Sequence, residues 1–102
     1  MERRPRAALR ECMHLLQRFA DGDLALGEFE VRYWTERSRS LRADAALQFQ
    51  LDAAHDFERD LSRYVPDPLP EVRQVEEREL RRRASRALQA INAASARRAS
   101  LG

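Results

Sequence analysis

Residues 9–33, LRECMHLLQRFADGDLALGEFEVRY, contain two amphipathic segments separated by a short turn. In the first segment, apolar side chains recur at the three- and four-residue spacing of one helix face. This face consists of Leu9, Cys12, Met13, Leu16, Phe19 and Ala20. The turn Asp21-Gly22-Asp23 follows, and its glycine suits the left-handed conformation that commonly ends a helix. The pattern predicts a first helix over about residues 6–20 and a second over about residues 26–40.

The second predicted helix carries apolar residues on two sides. Leu26, Phe29 and Tyr33 share one face, whereas Val31 and Trp34 lie nearly opposite. Such a helix is either packed between two neighbours, which is the more common arrangement, or presents an apolar patch to a partner. Trp34 is therefore a candidate anchor for a partner protein.

A third helix is predicted over about residues 41–64. Its core face consists of Leu47, Leu51, Ala54, Phe57, Leu61, Tyr64 and Val65. The far side carries three aspartates at intervals of four, Asp52, Asp56 and Asp60. Phe49 lies beside this row. Glu58 falls within the apolar arc, so we expect it to pair with an arginine or to lie at the edge of the core.

Residues 65–70, VPDPLP, are predicted to form a rigid extended connector, because alternating prolines remove hydrogen-bond donors and restrict the preceding residues. A fourth helix is predicted over about residues 76–96. Glu76 would be its N-cap, and Glu79 would complete a capping box. Its core face consists of Leu80, Ala84, Ala87, Leu88, Ile91 and Ala94.

These segments predict an all-α fold, an antiparallel four-helix bundle, in a single domain over residues 1–102 with a basic, frayed C-terminal tail. One domain is expected because so short a chain cannot supply two stable cores. No apolar stretch approaches the roughly 20 residues of a membrane span, and no secretory h-region follows the N-terminus. The lone Cys12 fits a reducing compartment. We therefore expect a soluble cytoplasmic protein.

Charge is unevenly distributed, although the formal net charge is only +2. Residues 43–80 hold ten acidic residues against four arginines, whereas residues 81–102 hold six arginines and no acidic residue. A nucleic-acid-binding protein needs its basic segments on one face. An inhibitor of a basic partner needs the acidic segment exposed instead. Charge alone does not decide between these two classes.

Residues with catalytic or metal-binding chemistry are few and poorly placed. Cys12 and His14 point about 160° apart on a helix, so they cannot form a nucleophile–base pair. His55 has Asp52 three residues before it, but a third and a fourth metal ligand are not evident. The three glycines form no phosphate-binding loop. We therefore expect no enzymatic activity, no metal and no cofactor.

Three charged surfaces remain as candidate binding sites. The aspartate row presents carboxylates about 6 Å apart, which suits a cationic groove, or it is a solvated helix face. A row of three arginines either contacts phosphates or only keeps its helix soluble. This row consists of Arg78, Arg82 and Arg86. Three carboxylates crowd the start of the fourth helix, where the helix dipole favours anions. They are those of Glu76, Glu77 and Glu79.

Two stretches within about residues 9–91 together resemble the colicin-D-type immunity proteins. Residues 15–33, LLQRFADGDLALGEFEVRY, are similar to the opening of that family, in which a Gly/Asp turn leads to a Glu-Phe-Glu segment and a following aromatic residue. Residues 75–84, VEERELRRRA, are similar to the acidic start of its last helix. Tyr64, just before Pro66-Asp67-Pro68, also fits the family's pattern.

The resemblance implies an antiparallel four-helix fold that binds and neutralises a cognate bacterial toxin in the cytoplasm. In colicin D the toxin domain is a tRNA-cutting ribonuclease, and its immunity protein covers the active site with acidic groups. The acidic positions that match are Asp67, Glu76, Glu77 and Glu79. Members of the family are typically acidic overall, whereas this chain has a net charge of +2 and a basic last helix.

We therefore expect a stoichiometric toxin inhibitor that is monomeric when free and binds neither nucleic acid nor membranes. Its candidate partner-binding residues are Trp34, Phe49, Asp52, Asp56, Asp60, Asp67, Glu76, Glu77 and Glu79. The alternative is a small helical nucleic-acid-binding or regulatory protein that uses the arginine-rich last helix. A third interpretation is a helical adaptor or homodimer with Trp34 and Val31 at its seam, which predicts a stable dimer without a partner.

Overall fold

The computed structural model describes residues 5–101, with side chains from Ala7 to Arg97, and this part of the chain is all-helical without a strand. The predicted all-α class is therefore confirmed. The five α-helices are α1 (Pro5–Ala20), α2 (Leu26–Ala43), α3 (Gln48–Asp52), α4 (His55–Arg63) and α5 (Pro70–Leu101), and a 3₁₀ turn spans Ala45–Leu47. Within residues 5–101, no helix combines the length and the apolar composition needed to cross a membrane.

The turn between α1 and α2 has the geometry that the sequence predicts. Gly22 has a φ of +86°, in the left-handed region. The N–H of Asp23 donates to the carbonyl of Arg18 at 2.9 Å, and the N–H of Gly22 donates to the carbonyl of Phe19 at 3.1 Å. These two bonds form a Schellman motif, which satisfies carbonyls that the end of α1 would otherwise leave without partners.

One core joins all five helices. The buried apolar residues include Leu15, Leu16, Phe19, Phe29, Tyr33, Leu51, Phe57, Leu61, Leu80 and Ile91. At its centre the rings of Phe19 and Phe29 stack with their centroids 4.5 Å apart, and Phe57 from α4 lies 6.0 Å from Phe29. Each fully buried side chain of this size contributes about 1.5–3 kcal/mol through the hydrophobic effect.

The single helix predicted over residues 41–64 is wrong, because the chain breaks twice in that range. α2 continues to Ala43, and Asp44 is then extended and accepts a hydrogen bond from the N–H of Ala46 at 3.0 Å. Aspartate competes in this way with the helical backbone and favours a cap. At the second break, the N–H of Ala54 bonds to the carbonyl of Leu51, three residues back, before α4 begins. The chain between α2 and the connector therefore forms a 3₁₀ turn and two short helices, α3 and α4.

The predicted bounds of the last helix, residues 76–96, are also wrong, and the tail that we expected to be frayed is helical to Leu101. α5 begins at Pro70, and its first backbone bond runs from the N–H of Arg73 to the carbonyl of Leu69 at 3.0 Å. Proline is well suited to a first helical position because its missing N–H would have no partner there. Glu76 therefore lies within α5, and the predicted capping box with Glu79 does not form.

α5 extends beyond the core at its N-terminal end. Its 32 residues correspond to about 48 Å, which matches the longest dimension of the molecule, 48 Å. Its buried residues are Leu80, Ala84, Ala87, Ile91 and Ala94. The first ten residues of α5 precede this buried stripe, and the connector leads into them from α4.

Candidate partner-binding surface

The connector and the start of α5, residues 64–79, form a segment that we call the α5 arm. It carries four of the six large apolar side chains that are exposed among the described residues. These four are Val65, Leu69, Val72 and Val75, with exposed fractions of 79%, 60%, 37% and 58%. An apolar patch on the surface of a protein is a candidate site for binding a partner.

The α5 arm also carries carboxylates without counter-ions. Glu71 is exposed, Glu76 and Glu77 are half-buried, and none of the three forms an ion pair with any residue from Ala7 to Arg97. The whole arm holds five acidic residues against two arginines. It is therefore an apolar segment with a negative potential.

Asp67 has a structural role within the α5 arm. Its carboxylate accepts a hydrogen bond from the N–H of Leu69 at 2.9 Å, and its backbone carbonyl accepts one from Nη1 of Arg73 at 3.1 Å. The first contact is an Asx turn, which directs the chain into Pro70 and α5. The arm is therefore held in place by its own side chains.

Tyr64 anchors the base of the α5 arm. Its ring is half-buried and packs against the core. Its hydroxyl and Oε1 of Glu76 are both buried without a hydrogen-bond partner in the protein. Burial of the hydroxyl, together with the nearby carboxylates of Glu77 and Glu76, raises the pKa of Tyr64. The base of the arm therefore holds two buried polar groups, the hydroxyl of Tyr64 and Oε1 of Glu76, that form no hydrogen bond within the protein.

The structure neutralises two of the predicted partner-binding carboxylates, Asp60 and Glu79. Arg83 donates to Asp60 through Nη1 at 2.6 Å and to Glu79 through Nε at 2.9 Å. Arg82 donates to the second oxygen of Glu79 at 2.6 Å. The hydrogen bond from Arg83 is the largest cause that lowers the pKa of Glu79. The Asp60–Arg83 pair joins α4 to α5, whereas Glu79 is paired within α5, so neither carboxylate is a free charge for a partner.

The predicted row of three aspartates does not lie on one helix. Asp52 ends α3, whereas Asp56 and Asp60 lie on α4 after the break. Asp52 accepts a hydrogen bond from the Gln48 amide, and Asp56 pairs with Arg59 at 3.1 Å. The expectation of a rigid, evenly spaced row of carboxylates is therefore wrong.

The two candidate aromatic anchors, Trp34 on α2 and Phe49 on α3, are not part of the α5 arm. Trp34 is half-buried, packs on the core, and meets the ring of Tyr33 edge-on at 5.5 Å. The guanidinium of Arg37 lies 5.8 Å from the centre of its ring. Phe49 on α3 is 44% exposed, and Val31 on α2 is 69% exposed. Trp34 thus follows the packed alternative, whereas Val31 is exposed on the outer side of α2.

Glu58 is buried and paired, as its position in the apolar arc predicts. Its Oε2 accepts hydrogen bonds from the hydroxyl of Tyr33 at 2.6 Å and from Nε of Arg37 at 2.7 Å. Burial and the Glu58 carboxylate raise the pKa of Tyr33 well above its usual range. This group joins α2 to α4 inside the protein and is inaccessible to a partner.

The residues with nucleophilic or metal-binding chemistry remain apart. Cys12 is fully buried, and this burial raises the pKa of its thiol to about 12. His14 and His55 are both exposed. Among residues 7–97, no three His, Cys, Asp or Glu side chains are arranged to hold a metal ion.

Sequence reasoning missed the role of Arg81. Its Nη1 donates to the carbonyls of Phe19 at 2.6 Å and Leu24 at 3.1 Å, and its guanidinium lies 4.5 Å from the centre of the Phe19 ring. Arg81 therefore caps the end of α1 from α5. The available signal was its helical angle, because Arg81 lies about 20° from the apolar Leu88 and therefore at the edge of the buried stripe.

Of the nine predicted residues, the structure therefore gathers Asp67, Glu76, Glu77 and Glu79 on the α5 arm and distributes the other five over α2, α3 and α4. Among these nine, Glu76 and Glu77 lie next to exposed apolar side chains and form no ion pair with an arginine whose side chain the structure describes. No family model, no curated protein and no solved structure matches the chain.

Proposed function

We propose that this protein is an immunity-type inhibitor, which binds a cognate bacterial toxin stoichiometrically through the α5 arm and neutralises it in the cytoplasm. One observation carries the proposal: exposed apolar side chains and carboxylates without counter-ions lie together on the arm. Burial of the apolar side chains against the toxin supplies affinity. The carboxylates favour a partner with a basic surface.

The partner's surface must be basic and partly apolar. Glu71, Glu76 and Glu77 form no ion pair among the described residues, so a basic partner would supply their counter-ions, and opposite charge accelerates association. A second copy of this chain would bring like charges together if the arms met. We therefore propose a free monomer. A nuclease suits this chemistry because its substrate groove is cationic, and a tRNA-cutting ribonuclease is the narrower expectation from the resemblance.

The resemblance to colicin-D-type immunity proteins supports the same proposal, because the acidic positions that match that family, Asp67, Glu76, Glu77 and Glu79, all belong to the arm. We also propose that the helices form an antiparallel four-helix bundle, in which α3 and α4 together correspond to the third helix. The buried, protonated thiol of Cys12 accords with the cytoplasmic location.

The first experiment is an affinity pull-down with the tagged protein from its native strain at moderate salt, followed by mass spectrometry. We expect one large multidomain protein, held at a 1:1 ratio through its C-terminal domain. That domain must be toxic when expressed alone and harmless when co-expressed with this chain. Recovery of RNA or ribosomal proteins that dissociate with salt would instead support nucleic-acid binding.

Charge reversal on two surfaces then locates the binding site. The double variant Glu71→Arg/Glu77→Arg should lower the association rate at least about tenfold and weaken its dependence on salt. The matched control is Asp52→Arg/Asp56→Arg, which makes the same change of charge on α3 and α4 and should lower the rate less than about threefold. Equal effects of the two double variants would remove the arm from the proposal.

The alternative function rests on the solvent side of α5. Arg78, Arg82 and Arg86 are exposed, and only Arg82 has an ion-pair partner among the described residues. This row would contact phosphates, with retention of tRNA that falls steeply as salt is raised. The acidic arm on the same helix opposes that function, because it repels phosphate.

A further inference from the structure

The contacts that attach α5 to the rest of the protein begin only near the end of the α5 arm. Leu80 is the first buried apolar residue of α5, and Arg81 and Arg83 donate the hydrogen bonds that join α5 to α1 and α4. Among the described residues, no hydrogen bond or ion pair joins residues 65–77 to α1, α2, α3 or α4. This part of the arm is therefore attached through the two ends of its own chain.

The side of the arm that faces the core is polar. Continued backwards at intervals of three and four residues, the buried stripe of α5 reaches Glu77, Glu76 and Arg73, all of them half-buried. The apolar Val72 and Val75 lie on the exposed side instead, and none of residues 65–77 is among the apolar residues that form the core or pack against it. Opening the arm therefore exposes little apolar surface, and the hydrophobic effect holds the arm closed only weakly.

The helix of the arm is too short to be stable by itself. Residues 70–77 supply about two turns, whereas isolated helices shorter than about 12–15 residues are marginal in water. The contacts of Asp67 with the N–H of Leu69 and with Arg73 lie within the arm, so they shape the arm without attaching it to the core. The helix at residues 70–77 therefore depends on its continuation from the buried part of α5.

Closing of the arm buries two polar atoms that then lack partners. They are the hydroxyl oxygen of Tyr64 and Oε1 of Glu76. Besides burial itself, the carboxylates of Glu77 and Glu76 raise the pKa of Tyr64, which places the helix of the arm next to this hydroxyl. A buried polar atom without a hydrogen bond destabilises the state in which it is buried, and water would bond to both atoms once the arm opened.

We propose that residues 70–77 open and close locally as a unit in the free protein, while the core stays folded. The hinge lies just before Leu80, where the polar positions of the stripe give way to apolar ones. Opening hydrates the hydroxyl of Tyr64 and the carboxylate of Glu76, and closing buries them again.

The opening regulates the binding surface, because only the closed arm presents Val72 and Val75 from one helix. This consequence rests on the proposed function: the toxin binds the closed arm, so the fraction of closed arms sets the apparent affinity of the site. The opening itself is a property of the free chain. An arm that opens but binds no toxin would refute the proposed function alone, and a permanently closed arm that binds the toxin would refute the opening alone.

Hydrogen exchange of the backbone amides in the free chain tests the proposal. The N–H groups of residues 74–77 donate within the helix of the arm, and those of residues 84–91 donate within the buried part of α5. After correction for the exchange rate of an unstructured peptide, amides 74–77 should exchange at least about 100-fold faster than amides 84–91. Equal protection of the two sets would show that the arm opens only when the whole protein unfolds, and it would overturn the proposal.

The variant Ile91→Val tests whether the opening is local. This change trims a fully buried side chain, so it should speed the exchange of amides 84–91 at least about threefold through a loss of global stability. Amides 74–77 should keep their rates within about 1.5-fold, because they exchange through an opening that leaves Ile91 packed. A parallel increase in both sets of amides would contradict a local opening.

The variant Tyr64→Phe tests the cost at the base of the arm. The ring is kept but the buried hydroxyl is removed, so amides 74–77 should exchange at least about threefold more slowly. The matched control is Gln74→Gly at an exposed position, which lowers helix propensity and should make the arm exchange about fivefold faster. Unchanged or faster exchange in Tyr64→Phe would overturn the proposal, because the arm would then not uncover this hydroxyl. An arm that does not respond to Gln74→Gly would equally contradict an opening of its helix.

Discussion

The hydroxyl of Tyr33 donates a hydrogen bond of 2.6 Å to the carboxylate of Glu58, across 25 positions of sequence. Arg37 donates to the same oxygen at 2.7 Å. One buried carboxylate thus fixes the position of the short α4 against α2. Because α4 has only nine residues, packing and this polar contact rather than helix propensity determine where it lies.

The first prediction concerns this carboxylate. Glu58→Gln keeps the shape of the side chain but leaves the partly buried guanidinium of Arg37 without its counter-ion, so we expect a loss of about 2–3 kcal/mol in the free energy of unfolding. The matched control is Glu28→Gln, which breaks an exposed pair with Arg32 and should cost less than about 0.5 kcal/mol. Urea denaturation measures both. Equal losses would contradict a structural role for Glu58.

Replacing each of two glycines by alanine should change the stability of the protein in opposite directions. Gly22→Ala forces alanine into a φ of +86° and should destabilise the protein by about 1–2 kcal/mol, although no atom lies within 4 Å of the added Cβ. Gly27→Ala also meets open space, but in the ordinary helical backbone of α2. It should stabilise the protein by up to about 1 kcal/mol. Thermal unfolding of both variants checks the signs, and a loss in Gly27→Ala would contradict the helical assignment at that position.

Structural features that depend on adjacent residues could be predicted from the sequence, whereas features that depend on distant contacts could not. The Schellman turn at Gly22 depends on a few adjacent residues, and it was predicted. The break after Asp52 was not, because the apolar spacing from Leu51 to Phe57 continues across it and one helix or two satisfy the same periodicity. Pro70 was assigned to the connector because proline breaks helix interiors, yet a first helical position carries no such penalty.

The candidate site was harder to predict for a different reason. Asp60, Glu76 and Glu79 are equivalent as carboxylates in the sequence. Helical spacing already pairs Glu79 with Arg83, four residues on, and Glu76 has no such partner among the described residues. Only the fold shows that Arg83 also neutralises Asp60. This pairing joins residues 23 positions apart, from Asp60 to Arg83, which helical spacing within one segment cannot reveal.

A third prediction separates two neighbouring arginines. Arg81→Ala removes the hydrogen bonds to Phe19 at the end of α1 and to Leu24 in the following turn, together with the contact with the Phe19 ring, and it should cost about 2 kcal/mol of stability. Arg82→Ala removes one exposed ion pair with Glu79 and should cost less than about 0.5 kcal/mol. Urea midpoints of the two variants compare them directly. A larger loss in Arg82→Ala would contradict the capping role of Arg81.

Alkaline pH gives a fourth prediction, which is unusually simple because the chain has no lysine. Burial raises the pKa of Cys12 from 9.0 to about 12, and the pKa of Tyr33 is raised as well. Above pH 9.0 the unfolded chain releases protons that the folded chain keeps, so stability should fall as pH rises, by at most about 1.4 kcal/mol per pH unit for each group. Below that pH, these two groups contribute no pH dependence.

Urea midpoints between pH 8 and pH 11 measure this effect. Cys12→Ala should remove the early part of the decline. Tyr33→Phe should reduce the part that begins near pH 10, where an exposed tyrosine titrates, and Tyr64, whose pKa is also raised, contributes the rest of that part. Each variant is compared with its own midpoint at pH 8, so the cost of the altered packing cancels. A midpoint that does not change up to pH 11 in the unsubstituted protein would contradict the protonated state of the buried thiol.

The last prediction separates folding from binding on the α5 arm. Val72 and Val75 are 37% and 58% exposed, so Val72→Ser/Val75→Ser removes little buried apolar surface and should change the free energy of unfolding by less than about 1 kcal/mol. The same variant should weaken the complex with the toxin at least about tenfold, mainly through faster dissociation, because the apolar side chains are buried only in the complex. The matched control is Val31→Ser on α2, which is 69% exposed and should change neither quantity. Stopped-flow and urea measurements on the three proteins decide the point: unchanged dissociation in the arm variant would show that Val72 and Val75 do not contact the toxin, even if its carboxylates do.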